Sequence, residues 1–84
     1  MFKMKIKYFA WIKDITKKDY ELIEKDFPRN INELKKNLNT MYPDLEKHIM
    51  SDILRFAINK EYVSKNSEIK STDEIAIFPP VSGG

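Results

Sequence analysis

The residues best suited to covalent chemistry are the last six of the sequence, Pro79-Pro80-Val81-Ser82-Gly83-Gly84. Gly83 and Gly84 carry no Cβ, so this end can thread a narrow channel with its carbonyl open to attack from either face. Pro79 and Pro80 remove two amide donors and fix φ, so a preceding strand cannot simply continue through them. In a polyproline-like conformation, at about 3.1 Å per residue, the six residues reach roughly 19 Å, enough to enter another protein's active site. The alternative is a frayed or appended end of the kind common at termini. Against it, the apolar run Ile75-Ala76-Ile77-Phe78 enters the prolines with no polar spacer, which makes the tail part of the fold.

A free carboxylate is a poor electrophile, so acyl chemistry at Gly84 requires activation, for which adenylation by ATP is the plausible biological route. The chain carries no means of doing this. Its only glycines are Gly83 and Gly84, so it has no phosphate-binding loop, and it has no cysteine and a single histidine. His48 follows Glu46-Lys47 and reads as a surface side chain, with no second histidine or carboxylate constellation to make a catalytic or metal site. The absence of cysteine also excludes disulfides, thiolate metal sites and side-chain persulfides. Gly84 is therefore expected to be a substrate, activated by a second protein, and no metal or bound cofactor is expected on this chain.

The composition points the same way. Eighty-four residues allow one domain with a modest core and no deep substrate cavity. The net charge is +2, and only two of fifteen basic residues are arginine, without the clustered cations of a nucleic-acid binder. Lys3, Lys5 and Lys7 alternate with Met4, Ile6 and Tyr8, which reads as the solvent side of a strand rather than a phosphate site. No apolar stretch approaches the roughly twenty residues of a membrane span, and no signal-peptide hydrophobic region is visible. A cytoplasmic protein with no nucleic-acid or membrane partner is the expectation.

The elements that must position the tail follow from periodicity. Phe2 to Phe9 alternate as an opening strand, Trp11–Thr16 read as a short helical turn or connection, and Tyr20–Glu24 as a strand able to pair back on the first. Whether Trp11 packs inward or joins an interface is open. Asn30 is a candidate N-cap with Glu33 in the capping-box position. Ile31, Leu34, Leu38, Met41 and Tyr42 then recur as the core stripe of a helix ending before Pro43. Its other face, with Glu33, Lys35, Lys36 and Asn37, reads as solvated and without a binding role. Leu54–Ile58, a turn at Asn59-Lys60-Glu61 and Tyr62-Val63 form a hairpin, a polar stretch spans Ser64–Thr72, and Ile75–Phe78 close the domain. Periodicity alone does not order these strands.

Strands around one main helix predict an α+β domain over residues 1–78 with an extended tail over 79–84. If Leu54, Phe56, Ile58, Ile75 and Ile77 face the core, the two-residue period turns Arg55, Ala57, Ala76 and Phe78 outward. Phe78 beside small alanines at the root of the tail would make a docking patch, unless the chain's own loops cover it.

Three stretches stand out together: Tyr8-Phe9-Ala10 with Ile12-Lys13-Asp14 and Thr16, Ala57-Ile58-Asn59 with Glu61-Tyr62-Val63, and above all Asp73-Glu74-Ile75-Ala76-Ile77-Phe78-Pro79-Pro80-Val81-Ser82-Gly83-Gly84. In these the chain resembles the sulfur-carrier subunits of molybdopterin synthase, within the ubiquitin-like β-grasp superfamily. The resemblance implies a mixed sheet of four to five strands on one helix. It also implies that an activating enzyme of the ubiquitin-activating type uses ATP to adenylate Gly84, which then becomes a thiocarboxylate. Sulfur would pass to cyclic pyranopterin monophosphate inside the large synthase subunit, in a heterotetramer of two small and two large chains. Carried over by position, Gly84 bears the sulfur, while Gly83 and Ser82 line the threaded segment. Val81, Pro80, Pro79 and Phe78 lie toward the docking surface, with Ala76, Arg55 and Ala57 beside it. Lys17, Lys60 and Thr72 stand where the family often has glycine, which puts the loop conformations in question.

Three rival readings remain at this level. The same carrier chemistry could feed thiazole synthesis or tRNA thiolation, or the tail could be conjugated to lysines as in a protein modifier. A pure interaction module would use the proline tail or its carboxylate for docking, though a single Pro-Pro lacks P-x-x-P spacing. An independent enzyme would need a catalytic constellation that the sequence does not contain.

Overall fold

Along β1 (Met4–Tyr8) the apolar side chains Met4, Ile6 and Tyr8 are buried and the lysines between them are not, as period-two alternation requires. The computed structural model describes residues 3–63 and 65–80. After β1 come α1 (Trp11–Thr16), β2 (Tyr20–Ile23) and α2 (Ile31–Met41). A 3-10 turn (Pro43–Leu45), α3 (Glu46–Met50), β3 (Arg55–Ile58), β4 (Glu61–Val63) and β5 (Glu74–Phe78) complete the order.

The five strands form one mixed sheet in the order β2-β1-β5-β3-β4. β1 pairs antiparallel with β2 and parallel with β5, so the two ends of the sequence meet at the centre of the sheet. β3 pairs antiparallel with both β4 and β5. This is the expected α+β arrangement with five strands, and it supplies the strand order that periodicity left open.

α2 covers one face of the sheet. Asn30 accepts the Glu33 amide at 2.9 Å through its side chain, while the Glu33 carboxylate takes the Arg29 amide at 3.0 Å. The capping box is thus closed one residue further out than its usual form, and both orphan amides are satisfied. Ile31, Leu34 and Leu38 drive into a core that includes Met4, Ile6, Ile12, Leu45, Phe56, Ile75 and Ile77. Burying each such side chain contributes about 1.5–3 kcal/mol. Pro43 ends α2 and opens the 3-10 turn, where its missing amide is not needed.

Several sequence-based expectations are corrected. Met41, expected in the core stripe, is 41% exposed at the last position of α2. Ile58, expected inward with the core strand residues, does pack against the core opposite buried Ile75, though it is itself half-buried. The polar stretch after β4 is anchored, since Ile69 is buried and Glu68 bridges to Asn30 at the start of α2. Lys35 is not simply solvated. It pairs with Asp52 at 3.3 Å and places its ammonium 5.8 Å from the centre of the Phe56 ring.

Lys17 and Lys60, two of the residues standing in glycine-like positions, keep the backbone that glycine would take. Lys17 closes α1 at φ 64°, and Asn59 and Lys60 turn the β3–β4 hairpin at φ 51° and 72°. Two successive left-handed residues suit a two-residue hairpin turn, and a lysine there carries the steric cost of its Cβ. Asn59 offsets part of this cost by tying the turn to β5. Its side chain donates to Asp73 at 2.9 Å and accepts the Glu74 amide at 2.9 Å.

Candidate functional site at the root of the tail

β5 stops at Phe78 because Pro79 and Pro80 cannot donate to a sheet ladder. The last turn of pairing holds it firmly: Tyr8 lies opposite Ile77 on the parallel side, and the Phe9 amide donates to the Ile77 carbonyl at 3.2 Å. On the antiparallel side, Arg55 lies opposite Phe78 and Ala57 opposite Ala76. The root of the tail therefore leaves a strand that is paired along both edges, which fixes its direction of departure.

The face of the sheet away from α2 is apolar around that point. The Phe78 ring stacks on Phe9 with centroids 4.7 Å apart and planes 11° from parallel, and Tyr62 lies 5.6 Å from it on the other flank. Tyr62 is 75% exposed and Phe9 39% exposed, while Phe78 between them is half-buried. Phe78 thus lies where the sequence placed a candidate docking patch, but with aromatic neighbours as well as the small alanines. It is the centre of an aromatic row, and large exposed apolar surface of this kind marks an interaction site.

The other expected docking residues divide by size. Ala76 is half-buried, whereas Ala57 is 3% exposed, because its single methyl lies beside the much taller Tyr62 directly opposite on β4. Ala57 thus forms the floor between Tyr62 and Ala76. Arg55 is exposed, and its guanidinium donates to the carbonyls of Asp52 at 3.0 Å and Leu54 at 3.2 Å. These neutral partners orient the cation without cancelling its charge. Pro79 is half-buried and Pro80 exposed. Val81, Ser82, Gly83 and Gly84, expected to thread and to react, lie outside the described residues.

Phe9 and Tyr62 were missed as members of this surface. Their signal was present in part, since Tyr62 falls on the outward side of its strand, but nothing local brings Phe9 beside Phe78. Trp11 contributes to the core from α1 and packs on His48 of α3, with centroids 4.6 Å apart. His48 is accordingly half-buried rather than a bare surface residue. Among the described residues no cluster of three His, Cys, Asp or Glu side chains could hold a metal ion, and no helix is long and apolar enough to cross a membrane.

The perturbed ionisable groups lie on the core side of the sheet, not in the aromatic row. Tyr8 and Tyr42 both donate to the Glu21 carboxylate, Tyr42 at 2.9 Å, and Lys18 adds an ion pair at 3.0 Å. Burial raises the Tyr8 phenol far above its usual value, and the neighbouring Glu21 carboxylate raises it further. For Glu21, burial acts upward, but the hydrogen bonds from Tyr8, Lys18 and Tyr42 outweigh it and hold the carboxyl below its ordinary range. This network joins β1, β2 and the end of α2, and its place in the framework gives it a structural role.

The model of the ThiS family matches residues 6–84. The molybdopterin synthase sulfur carrier subunit of Dictyostelium discoideum is 38% identical over 85 residues, covering 98% of this chain and 96% of that protein. A solved structure from Pyrococcus furiosus superposes with a TM-score of 0.78 at 26% identity, covering 96% of this chain and 100% of the other. A further solved structure is a complex of subunits 1 and 2 of the molybdopterin-converting factor from Helicobacter pylori. Its matching chain gives a TM-score of 0.66 at 22% identity, covering 98% of this chain and 99% of that one.

Proposed function

The chain belongs to the ThiS family, and from that premise we propose that it is the sulfur carrier subunit of a molybdopterin synthase, not catalytic alone and working inside a partner. The observation that carries this reading is the stacked Phe9–Phe78 pair at the point where Pro79 and Pro80 leave the sheet. It puts an exposed aromatic docking face and the base of a stiff reactive tail in one place. The likeness to sulfur carrier subunits along almost the whole chain supports the same reading.

The chemistry proceeds in balanced steps. An activating partner of the ubiquitin-activating type joins the Gly84 carboxylate to the α-phosphate of ATP and releases pyrophosphate. Sulfide, or a persulfide whose acyl disulfide product is then reduced by a thiol, attacks the carbonyl, AMP departs, and Gly84 ends as a thiocarboxylate. The aromatic face docks on a large synthase subunit, a partner consistent with the two-subunit complex from Helicobacter pylori. Gly83, Ser82, Val81, Pro80 and Pro79 carry the terminus into that subunit's active site. There the thiocarboxylate sulfur forms a carbon–sulfur bond to cyclic pyranopterin monophosphate as a carbon–oxygen bond of the precursor breaks and its oxygen departs. Water then hydrolyses the acyl–sulfur bond and returns the carboxylate of Gly84, and a second loaded carrier supplies the other sulfur of the dithiolene. Two small and two large chains form the working assembly. The protein acts in the cytoplasm, binds no cofactor of its own and meets ATP only as the partner's substrate.

The test is intact-mass spectrometry after incubation with the cognate activating enzyme, ATP and a sulfur donor. The expected product has one terminal oxygen replaced by sulfur, and adding purified large subunit with the pterin precursor returns the original mass. No change in mass, or the same change after deletion of Gly84, would overturn the reading. Transfer of the chain onto lysines, or of its sulfur to a thiazole precursor or tRNA instead, would select one of the rival acceptors.

A further inference from the structure

Beside the root of the tail lies an open cleft of about 930 Å³, bounded by the first turns of α2, the start of β3, the end of β4 and Pro80. Its lining includes the core side chains Ile31, Leu54 and Phe56, with half-buried Val63 at the side. Among the described residues its rim carries Lys35, Arg55 and Lys65, opposed by Asp52. The Asp52 carboxylate is engaged by Lys35 at 3.3 Å, and the bonds of the Arg55 guanidinium among the described residues go to carbonyls. Lys65 is exposed and has no ion pair among the described residues. Three cations against one anion leave the lining side chains at +2 around an apolar floor.

We propose that this cleft receives an extended acidic segment of a partner protein, one in which apolar side chains alternate with Asp or Glu. The apolar side chains would rest on half-buried Val63 and exposed Tyr62, above a floor of the buried Leu54 and Phe56, and the carboxylates would meet Lys65 and Arg55. The charge of the rim selects acidic over basic segments, because a like-charged segment meets repulsion as it approaches. β4 is the last strand of the sheet, so no further strand obstructs an extended chain along this side. Arg55 and Pro80 both face the occupant, and Arg55 pairs in register with Phe78, so a segment seated here abuts the exit of the tail. The cleft is thereby a second contact, adjoining the aromatic face through Tyr62, that holds the tail's base in one direction.

The experiment titrates the ¹⁵N-labelled full chain with the peptide Ac-Glu-Val-Asp-Ile-Glu-NH₂ and, separately, with Ac-Lys-Val-Lys-Ile-Lys-NH₂. The expected result is saturable amide shifts at Asn32, Lys35, Arg55, Phe56, Val63 and Lys65, with the acidic peptide binding at least about five-fold more tightly. Lys65→Glu is expected to abolish that preference, and Asp52→Asn, which removes the one opposing charge, to strengthen it. Both side chains are exposed, and the unchanged dispersion of each variant's spectrum reports its fold. Four results would each overturn the proposal: equal affinity for the two peptides, no saturable shift, shifts centred on β2, or indifference to both substitutions. So would cleft shifts that follow chain concentration alone, indicating a second copy, or that appear on removing residues 81–84, indicating that the tail itself is the occupant. Sulfuration of Gly84 is read by mass in a different assay, so either proposal can fail without the other.

Discussion

Phe9 and Phe78 lie near opposite ends of the sequence, yet their rings stack 4.7 Å apart and 11° from parallel. The parallel pairing of β1 with β5 brings them together, and the position of Phe78 before two prolines turns the contact into the base of the tail. An aromatic pair of this kind is worth about 0.5–1.5 kcal/mol beyond its buried area. Its greater consequence is that the loop after β1 is tied to the end of β5 where Pro79 begins.

Phe78→Ala is expected to separate docking from folding. The ring is half-buried on the sheet surface, so its loss should cost about 1 kcal/mol of stability, seen as a lower unfolding midpoint. Binding to the large subunit should weaken by at least about 2 kcal/mol, the size of a central aromatic anchor, when measured by calorimetry. Equal losses in both measurements would mean that Phe78 serves the fold alone.

Glu21 should give the chain an acid-sensitive component of stability. Its folded pKa lies below the ordinary value of 4.5, so the contribution is present above that value and is lost as pH falls through the lower folded one. Denaturant midpoints of the native chain should decline across this window, and Glu21→Gln should flatten that part of the profile. The variant should also be less stable at neutral pH by about 1–3 kcal/mol, because the buried Tyr8 phenol loses its charged acceptor.

Tyr8 sets the opposite limit. Its folded pKa is raised above the ordinary value of 10.0, so its contribution is complete below that value and is lost as pH rises toward the folded one. Tyr8→Phe should remove this alkaline dependence. Unfolding followed by far-ultraviolet circular dichroism across alkaline pH would reveal it.

Lys60→Gly and Lys17→Gly should each stabilise the chain. Both lysines hold left-handed backbone at φ 72° and 64°, where a Cβ costs about 1–2 kcal/mol and glycine does not. Part of that gain is offset by the greater freedom of glycine in the unfolded chain. A net rise of about 0.5–1 kcal/mol is expected for each, and a fall in the thermal midpoint would show that the lysine side chains supply packing that the backbone argument omits.

Asn30→Ala should cost about 1 kcal/mol by removing the acceptor of the Glu33 amide. For a domain of this size that corresponds to a fall of roughly 4–8 °C in thermal midpoint. Asn30→Asp should retain most of the stability, which distinguishes loss of the cap from loss of a surface contact.

Local regularities were readable from the chain alone. Alternation in β1 separated Met4, Ile6 and Tyr8 from their intervening lysines, Asn30 and Glu33 marked the start of α2, and Pro79 marked the end of β5, because each depends on neighbours within a few residues. The diglycine ending and the absence of cysteine and histidine pairs likewise pointed to a chain that is acted upon, since they concern which groups exist at all. What folding in three dimensions decided was adjacency. The central parallel pairing of β1 with β5 joins Phe9 to Phe78, the hairpin sets Tyr62 above Ala57, and α2 swings Lys35 toward Asp52 and Phe56. Such contacts depend on strand order and register, and a hydrophobic period of two specifies which face a residue occupies without specifying which strand stands beside it.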